Sequence, residues 1–286
     1  MTPNQHKQTR SQQREEARAK AKALREQHKK TERRKRVIIQ SSVTVLALAV
    51  IGGIVAALVS GANQETVEPK NFSFSDGIKI GAGLQAFTET NTPEPSATPD
   101  GGFATVPNIK IFVDYQCPIC QAFEVPNQSQ IKSWVETGAA TVEIHPISFL
   151  DGRGSPNQYS SRAANAAICV AEYSPNNFFD FNSALFENQP EEGTPGPENA
   201  ALIETAKSVG VTNETEIADC INEKRFGGWL SDATDRALST PVEGTDIIIQ
   251  GTPAIIVNGE QYTWTTGDEL VSPARFAQWL QQVAAK

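Results

Sequence analysis

Histidine is nearly missing from this chain. Of its three histidines, His6 and His28 fall in a basic head and only His145 lies beyond it. A catalytic zinc site has too few histidines to build on. A second closely spaced cysteine pair is also missing. The cysteines are Cys117, Cys120, Cys169 and Cys220, and only the first two are close together. Structural zinc sites usually take two such pairs, so ligation by all four cysteines fits poorly and no metal is expected. Residues 1–36 hold thirteen Lys/Arg against four Glu but no aromatic residue. Without rings to stack on bases, nucleic-acid binding is disfavoured. Residues 37–60 contain no charge at all, and no internal repeat is visible.

The uncharged stretch, "VIIQSSVTVLALAVIGGIVAALVS", is long enough to span a bilayer, which takes about 20 apolar residues. A cleaved signal peptide has a shorter apolar core, about 7–15 residues, behind a short head. Here the head has 36 residues, so an uncleaved anchor is expected. "RRKR", 33–36, marks the cytoplasmic side. The basic head then reads as a solvated cytoplasmic tail, and the body, which carries twelve Lys/Arg against twenty-nine Asp/Glu, lies outside.

Residues 61–107 read as an extracytoplasmic linker with short strands. "FSFSDGIKIGAGLQAF", 72–87, partly alternates and suggests one or two edge strands. The stretch 88–108 is rich in Pro, Thr and Gly and reads as a loop. The folded body, 108–286, begins with "IKIFVDY", 109–115, a buried strand. A helical run follows over 117–138, with a kink or break expected at Pro126. A second strand covers 139–150, and helical pieces fill 158–239. "DIIIQGTPAIIVNGEQYTW", 246–264, reads strand, turn, strand with a hairpin at Asn258-Gly259. A last helix, 272–286, has Ser272 as N-cap and Pro273 at its first position. A helix between two strands suggests parallel pairing; the final hairpin would add antiparallel strands. The class is α/β.

"VDYQCPICQAF", 113–123, carries the chemistry. Cys117 falls where a strand meets a helix, and backbone N–H groups at a helix start stabilise an anion. A thiolate there should have a pKa below the free value of about 8.5. Cys120 is one turn on, within disulfide reach and more buried. Pro118 suits the first turn, where its missing N–H is not needed. Cys117 then attacks and Cys120 resolves; a static structural disulfide is the alternative. Outside the cytoplasm disulfides persist. Asp114 reads as an exposed acid at the strand end, pointing away from the dithiol. Far along the chain, "GTPAIIVNG", 251–259, sets Thr252-Pro253 just before a strand, where proline is tolerated.

These two motifs, in this order and with a helical segment between them, resemble the DsbA-like thiol:disulfide oxidoreductases of the thioredoxin superfamily, in their membrane-anchored bacterial form. The resemblance covers roughly 105–286. It implies a thioredoxin fold with a helical insertion at about 150–240. It also implies Cys117 as nucleophile, Cys120 as resolving thiol, Pro253 as a cis-proline facing the dithiol, and Thr252 as a donor of backbone contacts to substrate. Pro118 and Ile119 form the active-site dipeptide, and Ile119 brings no charge to the thiolate. Many relatives carry a buried carboxylate six residues before the first cysteine; here that position is Ile111. Cys169 and Cys220 are expected to form a structural disulfide in the insertion; two unpaired core cysteines are the alternative. No cofactor is needed. The implied partners are reduced secreted proteins and a membrane quinone-linked reoxidant. A reductase or isomerase of the same fold, or a non-catalytic envelope chaperone, are the rival functions.

Overall fold

The computed structural model describes residues 66–72, 75–88, 106–153 and 156–285. The basic head and the apolar stretch 37–60 lie outside the described residues. Among the described residues no helix is long and apolar enough to cross a membrane.

Six strands form one sheet in the order β2-β1-β4-β3-β5-β6. β1 is Ile78–Gly81, β2 Gln85–Ala86, β3 Asn108–Val113, β4 Thr141–Pro146, β5 Ala254–Val257 and β6 Glu260–Gln261. β3 and β4 pair in parallel, with Ile111 opposite Ile144, and β5 runs antiparallel to β3. Between β3 and β4 lies α1, Pro118–Glu136.

Alternation explains the sheet's two faces, because successive strand residues point to opposite sides. Ile109, Ile111 and Val113, with Val142 and Ile144, join the main core together with Phe123, Ile131 and Val135 of α1. Phe112, Ala254 and Ile256 form a second cluster on the far face with Val242 and Ile249. That face also carries His145, stacked on Phe112 with ring centroids 4.2 Å apart, and its Nε2 is 3.2 Å from Glu143 Oε1. His145 thus packs with Phe112 and Glu143 on the face of the sheet away from the dithiol helix.

The helical insertion holds α2 Tyr159–Tyr173, α3 Phe178–Glu187, α4 Asn199–Ser208, α5 Glu214–Glu223 and α6 Gly227–Ser239. α2 is its axis and contacts each of the other four. A run of alanines, Ala163, Ala164, Ala166 and Ala167, is buried there, and small side chains let neighbouring helices come close. Cys169 of α2 and Cys220 of α5 are joined by a disulfide. After the sheet's last hairpin come a short helix α7, Gly267–Leu270, and α8, Pro273–Ala284, whose N-cap Ser272 accepts from Arg275 N.

Four local expectations are corrected. Of the two strands within 72–87, β1 is internal, paired to both β2 and β4, and only β2 lies at the sheet edge. α1 runs unbroken through Pro126. The proline costs one backbone bond, but buried Phe123, Asn127 and Ile131 hold the helix on either side, and Asn127 Nδ2 donates to Phe123 O at 2.8 Å. The run 214–239 breaks at Lys224–Phe226, just before Gly227-Gly228, which open α6. Lys224 takes left-handed φ/ψ, and Phe226 N donates to Asn165 Oδ1 of α2 at 3.0 Å. Finally, 246–250 forms only an isolated bridge, Pro241 to Ile248. Asn258 and Gly259 both have positive φ, as a two-residue hairpin turn requires.

Candidate active site

The site grows from the end of β3. Asp114 turns the chain: Cys117 N donates to Asp114 O at 3.0 Å, and Gln116 N to Asp114 Oδ1 at 2.9 Å. This places Cys117 as N-cap of α1, with Pro118 in the first turn. Both cysteines are free thiols, Cys117 6% exposed and Cys120 fully buried. Cys117 is therefore less open than a helix start alone suggests.

The segment 135 residues away closes the site. Cys117 Sγ donates to Thr252 O at 3.3 Å, and the Thr252–Pro253 bond is cis. The Thr252 hydroxyl is buried without a partner. It is free to turn toward the sulfur once that sulfur loses its proton.

Electrostatics separates the two thiols. The Cys120 thiol donates to the Cys117 sulfur and, outweighing burial together with Thr252 and the N–H groups of Cys120 and Ile119, holds Cys117 down to about 6. Burial pushes Cys120 well up, and the hydrogen bond to Cys117 and its charge add to this. One sulfur is a thiolate at neutral pH; the other keeps its proton.

Asp114 is not the exposed acid its strand-end position suggested. It is fully buried and accepts from Gln116 N, from Leu150 N at 2.8 Å and from Ser160 Oγ at 2.7 Å. It ties the catalytic turn to the chain after β4 and to the start of α2. Burial raises its carboxyl to about 6 despite these donors. A second acid, Glu124, was not singled out from sequence. It lies one helical turn past Cys120, and its buried neighbours Cys120, Phe123, Asn127 and Ile131 keep helical spacing. That periodicity put position 124 on the inner face, and an acid on an apolar face was the available signal. Its Oε2 accepts from Asn182 at 3.5 Å, and Oε1 has no partner. Asn182 in turn accepts from Tyr115 OH at 2.9 Å.

Burial pushes Glu124 up to about 7. A carboxyl with a raised folded pKa contributes stability that is full below its unfolded value, about 4.3, and is lost as pH rises through 7. The shift corresponds to about 3 kcal/mol. The Glu124 contribution is therefore expected to fall by roughly that amount between pH 4.5 and 8, read as the difference between urea titrations of the unmodified protein and of Glu124→Gln, since Asp114 and Cys117 titrate in both. Glu124→Gln should flatten the fall; an unchanged profile in the variant would remove Glu124 from this role.

Comparison with known proteins agrees with this geometry. Residues 101–282 match the thioredoxin family model. The chain is 30% identical over 165 residues to serine/threonine-protein kinase PknE of Mycobacterium tuberculosis, covering 54% of this chain and 28% of the kinase. It is 27% identical to disulfide bond formation protein D of Bacillus subtilis, covering 51% of this chain and 61% of that protein. The chain thus spans less than two thirds of either relative. Among solved structures, oxidised DsbA of Mycobacterium tuberculosis superposes with a TM-score of 0.56 at 27% identity, over 74% of this chain and 94% of that one. The residues matched by the family model include the dithiol at 117 and 120, the helical insertion and the Thr252–Pro253 segment. The chain belongs to the thioredoxin family, and within it is a DsbA-like thiol:disulfide oxidoreductase.

Proposed function

We propose that this enzyme donates the Cys117–Cys120 disulfide to reduced proteins outside the cytoplasm. The supporting observation is the stabilised Cys117 thiolate, with a pKa near 6. Whatever stabilises the thiolate stabilises the reduced enzyme, and a stable reduced form makes the disulfide the better oxidant. The name of the Bacillus subtilis relative, disulfide bond formation protein D, points the same way.

In the first step a substrate thiolate attacks Cys117 Sγ. The S–S bond to Cys120 breaks, and Cys120 leaves and takes up a proton. A second substrate thiolate then attacks the substrate sulfur of the mixed disulfide and expels the Cys117 thiolate. The substrate loses two electrons and the enzyme pair gains them. Cys117 is the nucleophile of the reverse reaction and the good leaving group of this one. Cys120, buried and with a raised pKa, is the resolving thiol. Thr252 and Pro253 form the wall against which the substrate backbone lies, and Pro118-Ile119 forms its rim. The electrons reside on two sulfurs, so no cofactor is required. A membrane quinone-linked partner reoxidises the pair.

The topology proposed with this function has residues 1–36 cytoplasmic, 37–60 as a single anchor, 61–107 as an external linker and 108–286 as the catalytic body. It rests on the charge pattern of the sequence. The reduction potential tests the direction of exchange. Thioredoxin's cysteine, with a pKa near 7, sits at about −270 mV, and one pKa unit corresponds to about 30 mV. A potential of roughly −240 mV is expected from equilibration with glutathione. A value at or below that of thioredoxin would assign the enzyme to reduction instead.

A further inference from the structure

α1 turns an apolar face to solvent beside the dithiol. Pro118, Ile119, Ala122, Val125 and Pro126 are exposed or half-buried, and their spacing of three and four residues puts them on one side of the helix. Pro118, Ala122, Val125 and Pro126, with Val271, which follows α7, border a groove that begins at the dithiol turn, and Ile119 lies exposed beside it. Among the described residues six large apolar side chains are exposed, and Ile119, Val125 and Val271 are three of them. Half of that surface is therefore concentrated here.

The opposite wall is acidic. Glu187, at the end of α3, lines the groove, and its Oε1 accepts from Gln128 Nε2 at 2.6 Å. Glu191 and Glu192 follow in an exposed loop. Glutamines strap this segment along α1. Gln121 Nε2 donates to Phe186 O at 2.8 Å, Gln189 Nε2 to Cys117 O at 3.0 Å, and Gln116 Nε2 to Thr194 O at 2.8 Å. Gln116 also reaches Glu191 O at 3.5 Å. Glu187 thus stands on the groove wall beside position 128, and the backbone of Glu191 passes beside position 116, so the exposed acids 191 and 192 follow in the loop that leads away from that wall. No Lys or Arg occurs in residues 111–131 or 181–206. On the Val271 side Arg275 is paired with Glu269 at 2.6 Å.

We infer that this groove selects reduced polypeptides in which an apolar residue near the attacking cysteine is followed by Lys or Arg. The inference rests on the disulfide-donor reading and names its substrate class. Its reach follows from helix geometry. Pro118 to Val125 spans about 10 Å of helix rise, the length of about three extended residues. A cysteine at Cys117 therefore lays its next two or three side chains on the apolar floor. A basic residue at that distance meets the Glu187 carboxylate; the nearby cation Lys132 is paired with Asp180 at 2.6 Å.

The test uses the oxidised full-length protein and three reduced dithiol peptides. Each has Cys-Leu-Ala followed by Lys-Lys, Gln-Gln or Glu-Glu, then a spacer and a second cysteine. Rates are normalised to each peptide's reaction with 2-hydroxyethyl disulfide, which removes differences in thiol reactivity. The Lys peptide is expected to be oxidised about tenfold faster than the Glu peptide at low salt, the sum of a few partly exposed pairs. The preference should shrink to about twofold near 0.5 M salt as screening shortens its range. Combined Glu187→Gln, Glu191→Gln and Glu192→Gln should bring the ratio close to one. Equal rates for all three peptides in the unmodified protein would overturn the selectivity while leaving the donor reading intact. A ratio that survives in the triple variant would overturn it as well. Failure to oxidise any of the three peptides would sink both.

Discussion

Cys120→Ser protein is expected to accumulate mixed disulfides with reduced polypeptides, and Cys117→Ser protein to form almost none. The two sulfurs differ in burial and in charge. Cys117 has its sulfur at the start of α1, 6% of the residue exposed, and a pKa near 6. At pH 7 about nine-tenths of it is thiolate. Cys120 is fully buried and burial keeps its thiol protonated. Attack needs the thiolate and access, and only Cys117 has both. In Cys120→Ser the serine hydroxyl can still donate to the Cys117 sulfur, so the reactive thiolate survives. What is lost is the internal thiol that would release the adduct. Adduct formation with a model disulfide should be at least roughly tenfold faster on Cys120→Ser than on Cys117→Ser, because Cys117 is the more acidic and the more accessible sulfur. It should follow pH with a midpoint near 6: protonation below that removes the nucleophile, and above it the rate is flat. Reducible high-mass bands on non-reducing gels report the adducts. Equal trapping by both variants, or by neither, would mean that the dithiol is a static link.

Joint replacement of Cys169 and Cys220 by alanine is expected to cost about 4 kcal/mol of stability, the chain-entropy value for a 51-residue loop. The bond joins the axial helix α2 to α5, and both cysteines are fully buried. Their neighbour Asn165 donates to Cys220 O at 3.5 Å and accepts from Phe226 N. The disulfide therefore sits where the 214–239 run turns from α5 into α6. Urea titration should show the loss as a lower midpoint. Burial also predicts that mild reductant opens Cys117–Cys120 first and leaves Cys169–Cys220 closed, as differential alkylation with mass readout would show. A variant as stable as the unmodified protein, or free thiols at 169 and 220 in the native protein, would contradict this.

Several elements were legible because their causes are local. "IKIFVDY" is a mostly apolar run with β-branched and aromatic residues, and β3 occupies Asn108–Val113. Asn258-Gly259 tolerates positive φ, and the hairpin turns there. Ser272-Pro273 starts α8. Other elements were misjudged where a distant contact outweighed a local preference. Pro126 should interrupt a helix, but α1 is pressed on the core along its length and continues. At Lys224 the local signal was only the Gly227-Gly228 pair that follows, and Asn165, about sixty residues earlier, captures Phe226 N and fixes where the helix ends.

Cysteine spacing at a strand–helix junction was a property of the sequence alone, because one turn of helix brings positions 117 and 120 together whatever surrounds them. The environment that sets the chemistry was not. Asp114 became a buried knot only when Leu150 and Ser160 arrived, 36 and 46 residues on. Thr252 met Cys117 from 135 residues away, and Glu124 lost its water when the insertion's Asn182 closed over it. Helix and strand preferences act over a few residues and can be read from contiguous sequence. Desolvation and hydrogen bonding to a titrating sulfur or carboxyl are set by whichever groups the folded chain packs beside it. The identity of the dithiol was therefore local, while the difference in acidity between its two sulfurs was a product of the tertiary structure.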